Sequence, residues 1–213
     1  MIDVDKEKIS IFIIWLFHLS GILGIIYGNS DWFVSATPIN LVISFILLLL
    51  NTELRFNIIL LILFCFSFGM LAEILGVSYG LIFGNYKYGE VLGYKVFNVP
   101  IIIGINWCVL VFITGTMSNL FYKNYWKKVL CGIILMIFMD ILIEPIAPIL
   151  DFWKFEGGIA KLQNYLGWFF VSFPMLILFH KLKPNVKNSF SFNLYFLQVL
   201  FFVILIIKNN TFI

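Results

Sequence analysis

Residues 129–150 read VLCGIILMIFMDILIEPIAPIL, a run of membrane-span length that carries Asp140 and Glu144 one helical turn apart. A span needs roughly 20 apolar residues, and an ionised carboxylate at mid-bilayer costs about 2.5–3.5 kcal/mol on insertion scales. Two acids in such a run therefore predict a protein-lined cavity or a partner, not lipid. Their spacing of four places both on one helix face. Pro145 and Pro148 follow at once. Without amide protons they predict a loosened helix end, whose freed backbone groups need protein or water.

Outward from this run the chain stays apolar. Of its 213 residues 62% are hydrophobic and 12% charged, against about 45–50% apolar in soluble domains. The reading is an all-α, polytopic transmembrane helix bundle, with about seven (six to seven) spans in a single domain over residues 1–213. Seven stretches carry it: 9–27, 34–50, 56–77, 99–117, 129–150, 164–180 and 190–207. The second has the shortest unbroken core, because Pro38 and Asn40 interrupt it, and a re-entrant segment is its alternative. The first lacks a small-residue cleavage site and is read as a retained span.

With seven spans the connections alternate sides. Lys6, Lys8, Arg55, Lys123, Lys127, Lys128, Lys181, Lys183 and Lys187 fall on one side, and Lys87, Lys95, Lys154, Lys161 and Lys208 on the other. The positive-inside rule then places the N-terminus in the cytoplasm, and a bacterial inner (cytoplasmic) membrane is the expected location. A net charge of +3, scattered without a basic block or an aromatic-interleaved basic stripe, argues against nucleic acid. Cys65, Cys108 and Cys131 sit in apolar runs without metal-ligand spacing, which predicts buried thiols. Membrane lipid is the expected surrounding.

The two longest connections, 78–98 and 151–163, fall on the same, non-cytoplasmic side. They read SYGLIFGNYKYGEVLGYKVFN and DFWKFEGGIAKLQ, a composition suited to headgroup level. Beneath them several spans carry polar groups: Glu73 near the end of the third, Asn106 on the fourth, Asp140 and Glu144 on the fifth, and Gln163 and Asn164 opening the sixth, with Trp168 one turn on. His18 lies nearer the middle of the first. Polar groups from separate helices thus converge in one half of the bilayer, the pattern of a pocket.

Each residue also has a purely structural reading. Glu73 near a helix end can snorkel. Asp140 and Glu144 can form an interhelical hydrogen-bond network with Asn106 or His18. If they line a pocket instead, burial disfavours the anions, and two nearby carboxyls cannot both ionise cheaply. Such a pair is expected to share a proton, and a protonated carboxyl in a greasy pocket is a general acid. An isolated alkene is an electron-rich group it can protonate, leaving a carbocation that carboxylates and aromatic faces stabilise.

Three ordered motifs carry a resemblance. The segments EILGVSYGLIFGNYKYGEVLGYKVFNVPIIIGINW (73–107), DILIEPIAPILDFWKFEGG (140–158) and LQNYLGWF (162–169) resemble the integral-membrane carotenoid biosynthesis proteins that include the CruF-type carotenoid 1,2-hydratases. The likeness spans roughly residues 70–170. It implies addition of water across the terminal 1,2 double bond of an acyclic carotenoid end group, with no cofactor and no metal. Glu73, Asp140 and Glu144 match the family's acidic positions, and Asn106, Trp107, Asn164 and Trp168 its amides and tryptophans. Tyr86 and Trp153, from the two aromatic loops, join these as expected substrate-binding residues. A lipophilic carotenoid is the implied substrate, with other carotenoid biosynthesis enzymes as potential partners.

Other functions compete for the same residues. A lycopene-type cyclase begins with the same protonation but excludes water. A proton-coupled transporter also uses intramembrane acids, but no inverted repeat or paired broken helices are visible here. A non-catalytic scaffold would use the acids as structural glue.

Overall fold

The computed structural model describes residues 5–209. In chain order its helices are α1 (Lys6–Tyr27), α2 (Ser30–Ser35), α3 (Thr37–Leu50), α4 (Phe56–Tyr79), α5 (Ile102–Phe121), α6 (Tyr125–Ile143), α7 (Leu162–Leu182) and α8 (Asn188–Asn209). Four short strands lie in the two long connections: β1 (Tyr86–Tyr88), β2 (Lys95–Val96), β3 (Val99–Pro100) and β4 (Trp153–Phe155).

Helix α5 is the axis of the bundle. It is buried along most of its length and packs against α3, α4, α6, α7 and α8, as expected of a predominantly apolar helix. The outer helices instead expose Phe12, Leu23, Leu63, Ile134 and Phe170, side chains suited to acyl chains. Helices α1, α4, α5, α7 and α8 are each long and apolar enough to cross a membrane. This is a helical membrane protein.

Two predicted spans are corrected. The stretch 34–50 is divided: α2 ends at Ser35, and Thr37 and Pro38 open the 14-residue helix α3. At about 1.5 Å per residue α3 rises about 21 Å, short of a hydrocarbon core of about 30 Å. The stretch 129–150 also ends early. Helix α6 stops at Ile143, Glu144 caps it with its N–H on the Asp140 carbonyl, and residues 144–151 form turns. Pro145 and Pro148 cannot donate the bonds that further helix requires.

Bonds between distant helices fix how three of them run. Trp15 Nε1 donates to Asn193 Oδ1 at 2.8 Å, and Lys208 Nζ donates to the Ile25 carbonyl at 3.0 Å, so α1 and α8 run parallel. Lys187 N donates to the Asn51 carbonyl at 3.0 Å, which sets the end of α3 beside the start of α8.

The all-α expectation also misses a small antiparallel sheet. Strand β1 pairs with β4 in the register Tyr86 with Phe155, Lys87 with Lys154 and Tyr88 with Trp153. The two aromatic loops therefore do lie at the same end of the bundle and are stitched to each other. Asp151 Oδ2 reinforces the seam by accepting from the amides of Glu90 and Val91 at 2.7 and 3.3 Å. Of the cysteines, Cys65 and Cys108 are buried and Cys131 is half-buried, and all three are free.

Candidate active site

Side chains alternate across a strand, and YKY in β1 and WKF in β4 use that alternation in register. Lys87 and Lys154 point outward, while Tyr86, Tyr88, Trp153 and Phe155 turn toward the helices. The rings form a lid: Tyr86 lies 5.2 Å from Phe155 and Tyr88 6.0 Å edge-on from Trp153, centroid to centroid.

Under this lid Glu73, Asp140 and Glu144 border one cavity of about 30 Å³, together with Asn106, Trp107, Trp153, Asn164 and Trp168. The structure brings together every candidate catalytic and binding residue named from the sequence. Of the other polar groups noted in the sequence, Gln163 and His18 stay outside: Gln163 donates to the Gly80 carbonyl at 3.0 Å, and His18 lines a separate space. Tyr88, Phe83 and Phe155 complete the wall. The alternation of Tyr86 and Tyr88 around an outward Lys87 was the available signal for Tyr88.

The three carboxyls are held differently. Glu73 Oε2 accepts from the hydroxyls of Tyr86 and of Tyr88, the latter at 2.8 Å, and its Oε1 accepts from Trp107 Nε1 at 3.0 Å. Three donors and no acceptor suit an anion, and such charge-assisted bonds are among the stronger ones. Burial, with the Glu73 carboxylate added, pushes the Tyr86 and Tyr88 phenols well above the ordinary tyrosine range. Both therefore remain donors at physiological pH.

Asp140 is 1% exposed. Its Oδ2 accepts from Asn164 Nδ2 at 2.6 Å, whereas Oδ1 is buried with no hydrogen-bond partner. The Glu144 carboxyl lies within interaction range of it and accepts from Trp153 Nε1 at 3.1 Å. Asp140 and Glu144 thus draw their donors from α7 and the lid, not from Asn106 or His18. Trp107 stacks on Trp168, centroids 4.4 Å apart. Small residues permit these approaches: a Cβ on Gly69 would sit 2.6 Å from the Trp107 ring, and one on Gly76 would sit 2.9 Å from the Tyr86 hydroxyl.

Beside the acid cavity lies a second space of about 380 Å³. Ile103, Asn106 and Trp153 line both. Met139 and Ile143 of α6 face the larger space while Asp140 and Glu144 face the smaller. The larger chamber is walled mainly by apolar side chains of α1, α2, α3, α5 and α8. Its wall includes Leu16, Trp32 and Ile39, which are also exposed on the outside of the bundle.

No curated protein and no solved structure matches the chain. A family model described as "Carotenoid biosynthesis protein" matches residues 33–213, which include the acid cavity, the lid and most of the apolar chamber. The chain belongs to the carotenoid biosynthesis protein family.

Proposed function

We propose that the protein is a cofactor-independent hydratase of acyclic carotenoid end groups, with Asp140 as the acid. The observation that carries this reading is the junction of the two spaces. Three carboxyls ring a cavity with room for water, which needs about 10–15 Å³, and that cavity shares a wall with a chamber fit for an isoprenoid chain. The substrate enters from lipid past Leu16, Trp32 and Ile39.

The reaction balances without a further reagent. With Asn164 donating to Oδ2, the Asp140 proton sits on the unpartnered Oδ1 and is delivered to C2 of the terminal alkene. The π pair forms the new C–H bond and leaves a tertiary cation at C1. Glu73 and the faces of Tyr88, Trp107, Trp153 and Trp168 stabilise that cation. Water attacks C1, and its surplus proton passes to the Glu144 carboxylate and back to Asp140. The sum is addition of one water.

A cyclase would need the space beside the acids dry, and the cavity among Glu73, Asp140 and Glu144 favours water instead. In the same reading α1 and α4 to α8 are full-length passes, α3 is a short seventh, and the N-terminus is cytoplasmic. The chain then acts as one domain in a cytoplasmic membrane, and its product serves later carotenoid biosynthesis enzymes.

Expression in cells that accumulate an acyclic carotenoid tests the reading. A product heavier by one water, carrying a tertiary hydroxyl, is expected. Undiminished product from the Asp140→Asn/Glu144→Gln double variant would remove these acids from the mechanism.

A further inference from the structure

The larger chamber is mainly apolar; Ser20, Thr37 and Asn106 also line it, and three further polar side chains gather near one level. The end of α3 is fixed beside the start of α8 by the bond from Lys187 N to the Asn51 carbonyl. Counting eleven residues from Asn51 back along α3 reaches Asn40, and eleven from Lys187 along α8 reaches Gln198. Both therefore lie about 16 Å above the same reference, at 1.5 Å per residue. His18 follows three residues after Trp15, whose indole bonds Asn193 five residues before Gln198. That puts His18 within about one helical turn, or about 5.4 Å, of the same height. All three side chains line the chamber.

Two of these side chains hold buried acceptors without a partner among the described residues. Gln198 is 8% exposed, and its Oε1 is buried without a hydrogen-bond partner, as is Asn40 Oδ1. His18 Nδ1 lies 2.8 Å from the Ile14 carbonyl. A carbonyl only accepts, so the proton is on Nδ1, and Nε2 of the neutral ring is an acceptor. An unsatisfied buried acceptor is expensive, about 1–3 kcal/mol, and native structures retain few of them. A chamber built only to hold hydrocarbon would have apolar side chains in these places.

We infer that Gln198, Asn40 and His18 form a polar belt that binds a hydroxyl group on the lipophilic ligand. Among the described residues no Asp, Glu, Lys or Arg lines the chamber, so they offer no countercharge to a carboxylate, phosphate or ammonium. Acceptors select a neutral donor. A hydroxyl both donates and accepts, so it serves either end of each carboxamide. The ligand class is therefore an isoprenoid that already carries an alcohol, and the belt fixes its position along the chamber while the acid cavity acts on its alkene. This deepens the proposed hydratase reading by restricting the substrate, and it rests on the chamber being the substrate's space.

The test compares two probes on the detergent-purified protein: geranylgeraniol and the hydrocarbon in which hydrogen replaces its hydroxyl. Quenching of tryptophan fluorescence reads binding, since Trp32 and Trp153 line the chamber. The alcohol is expected to bind about tenfold more tightly, a difference of about 1.4 kcal/mol. Gln198→Leu and Asn40→Leu should each reduce that preference to about twofold or less while binding the hydrocarbon at least as well as wild type, which also certifies their folding. Asp140→Asn should keep the preference even though turnover is lost, so failure of the hydratase chemistry and failure of the belt read out separately. Equal binding of the two probes by wild type, as expected if the belt only holds water, would overturn the proposal. So would an undiminished preference in both folded leucine variants.

Discussion

Two adjoining spaces of this molecule treat buried polarity in opposite ways. In the acid cavity each of the three carboxyls has a protein hydrogen-bond donor, and the donors come from several elements. Glu73 alone takes donors from β1 twice and from α5 once. In the apolar chamber Asn40 and Gln198 hold acceptors that nothing among the described residues satisfies. Bonding of the first kind preorganises a site whose groups must not move during a reaction. Acceptors of the second kind are the ones the proposed hydroxyl ligand would use. Asp140 Oδ1 has no hydrogen-bond partner among the described residues, and in the proposed mechanism it is the atom that carries the proton.

The contrast can be broken experimentally, beginning with the largest effect. Asp140→Asn removes the exchangeable proton but keeps size and the Asn164 neighbour; product formation should fall by about 10²–10⁴-fold, the usual weight of a general acid. Wild-type rates from this variant would assign the chemistry elsewhere. Glu73→Gln presents an amide hydrogen where three donors already converge, leaving at least one buried donor unpaired. A stability loss of about 1–3 kcal/mol is expected. It should appear as faster amide hydrogen exchange at residues 86–88 and 153–155, whereas the chamber-lining helices α1 and α8 should be unchanged.

Gly76→Ala probes the same seam by volume. Its Cβ would press on the Tyr86 hydroxyl, and overpacking of this kind costs about 1–3 kcal/mol; a detergent melt of unchanged midpoint would show that the lid has more slack than described. On the other side of the comparison, Gly21→Leu extends a side chain into the chamber from a position where an added Cβ meets only Phe201 at 3.7 Å. Substrate affinity should weaken about tenfold, equivalent to about 1.4 kcal/mol, with turnover of bound substrate preserved. A loss confined to turnover would mean that the chamber is not the binding space.

The smallest effect is in pH. The Tyr86 and Tyr88 phenols are raised by burial and by Glu73. Their contribution to stability is therefore complete below free tyrosine's value of about 10 and lost as pH rises through the folded-state values. Melts above that pH should fall more steeply for wild type than for Tyr86→Phe/Tyr88→Phe, and parallel curves would detach the phenols from lid stability.

The acid cavity was far more legible in the sequence than the chamber. A carboxylate in an apolar run is conspicuous because it is costly there, and the spacing of Asp140 and Glu144 survives even though the helix ends at Ile143. The likeness at 73–107, 140–158 and 162–169 supplied the amides and rings around them. Strand pairing was hidden, because β1 and β4 are three residues each and 64 residues separate Tyr88 from Trp153. Three-residue strands leave almost no periodic signal, and only the YKY and WKF alternation hinted at a common face. The chamber was obscured for a different reason. Asn40 and Gln198 are neutral, so the membrane penalty that exposes an acid is weak for them. Their common height depends on the contact between Lys187 and Asn51, which no local pattern contains. The break between α2 and α3 was signalled by Pro38, which sits in the first turn of the second piece, where proline is tolerated.

Proton delivery from the acid cavity to carbon is the claim on which the rest depends, and deuterated water tests it most directly. Protein turning over an acyclic carotenoid in that solvent should give a tertiary alcohol bearing one carbon-bound deuterium, at C2, formed in proportion to the Asp140-dependent product. A hydroxylated product with no deuterium on carbon would contradict the account, because its oxygen would have arrived without protonation of the alkene.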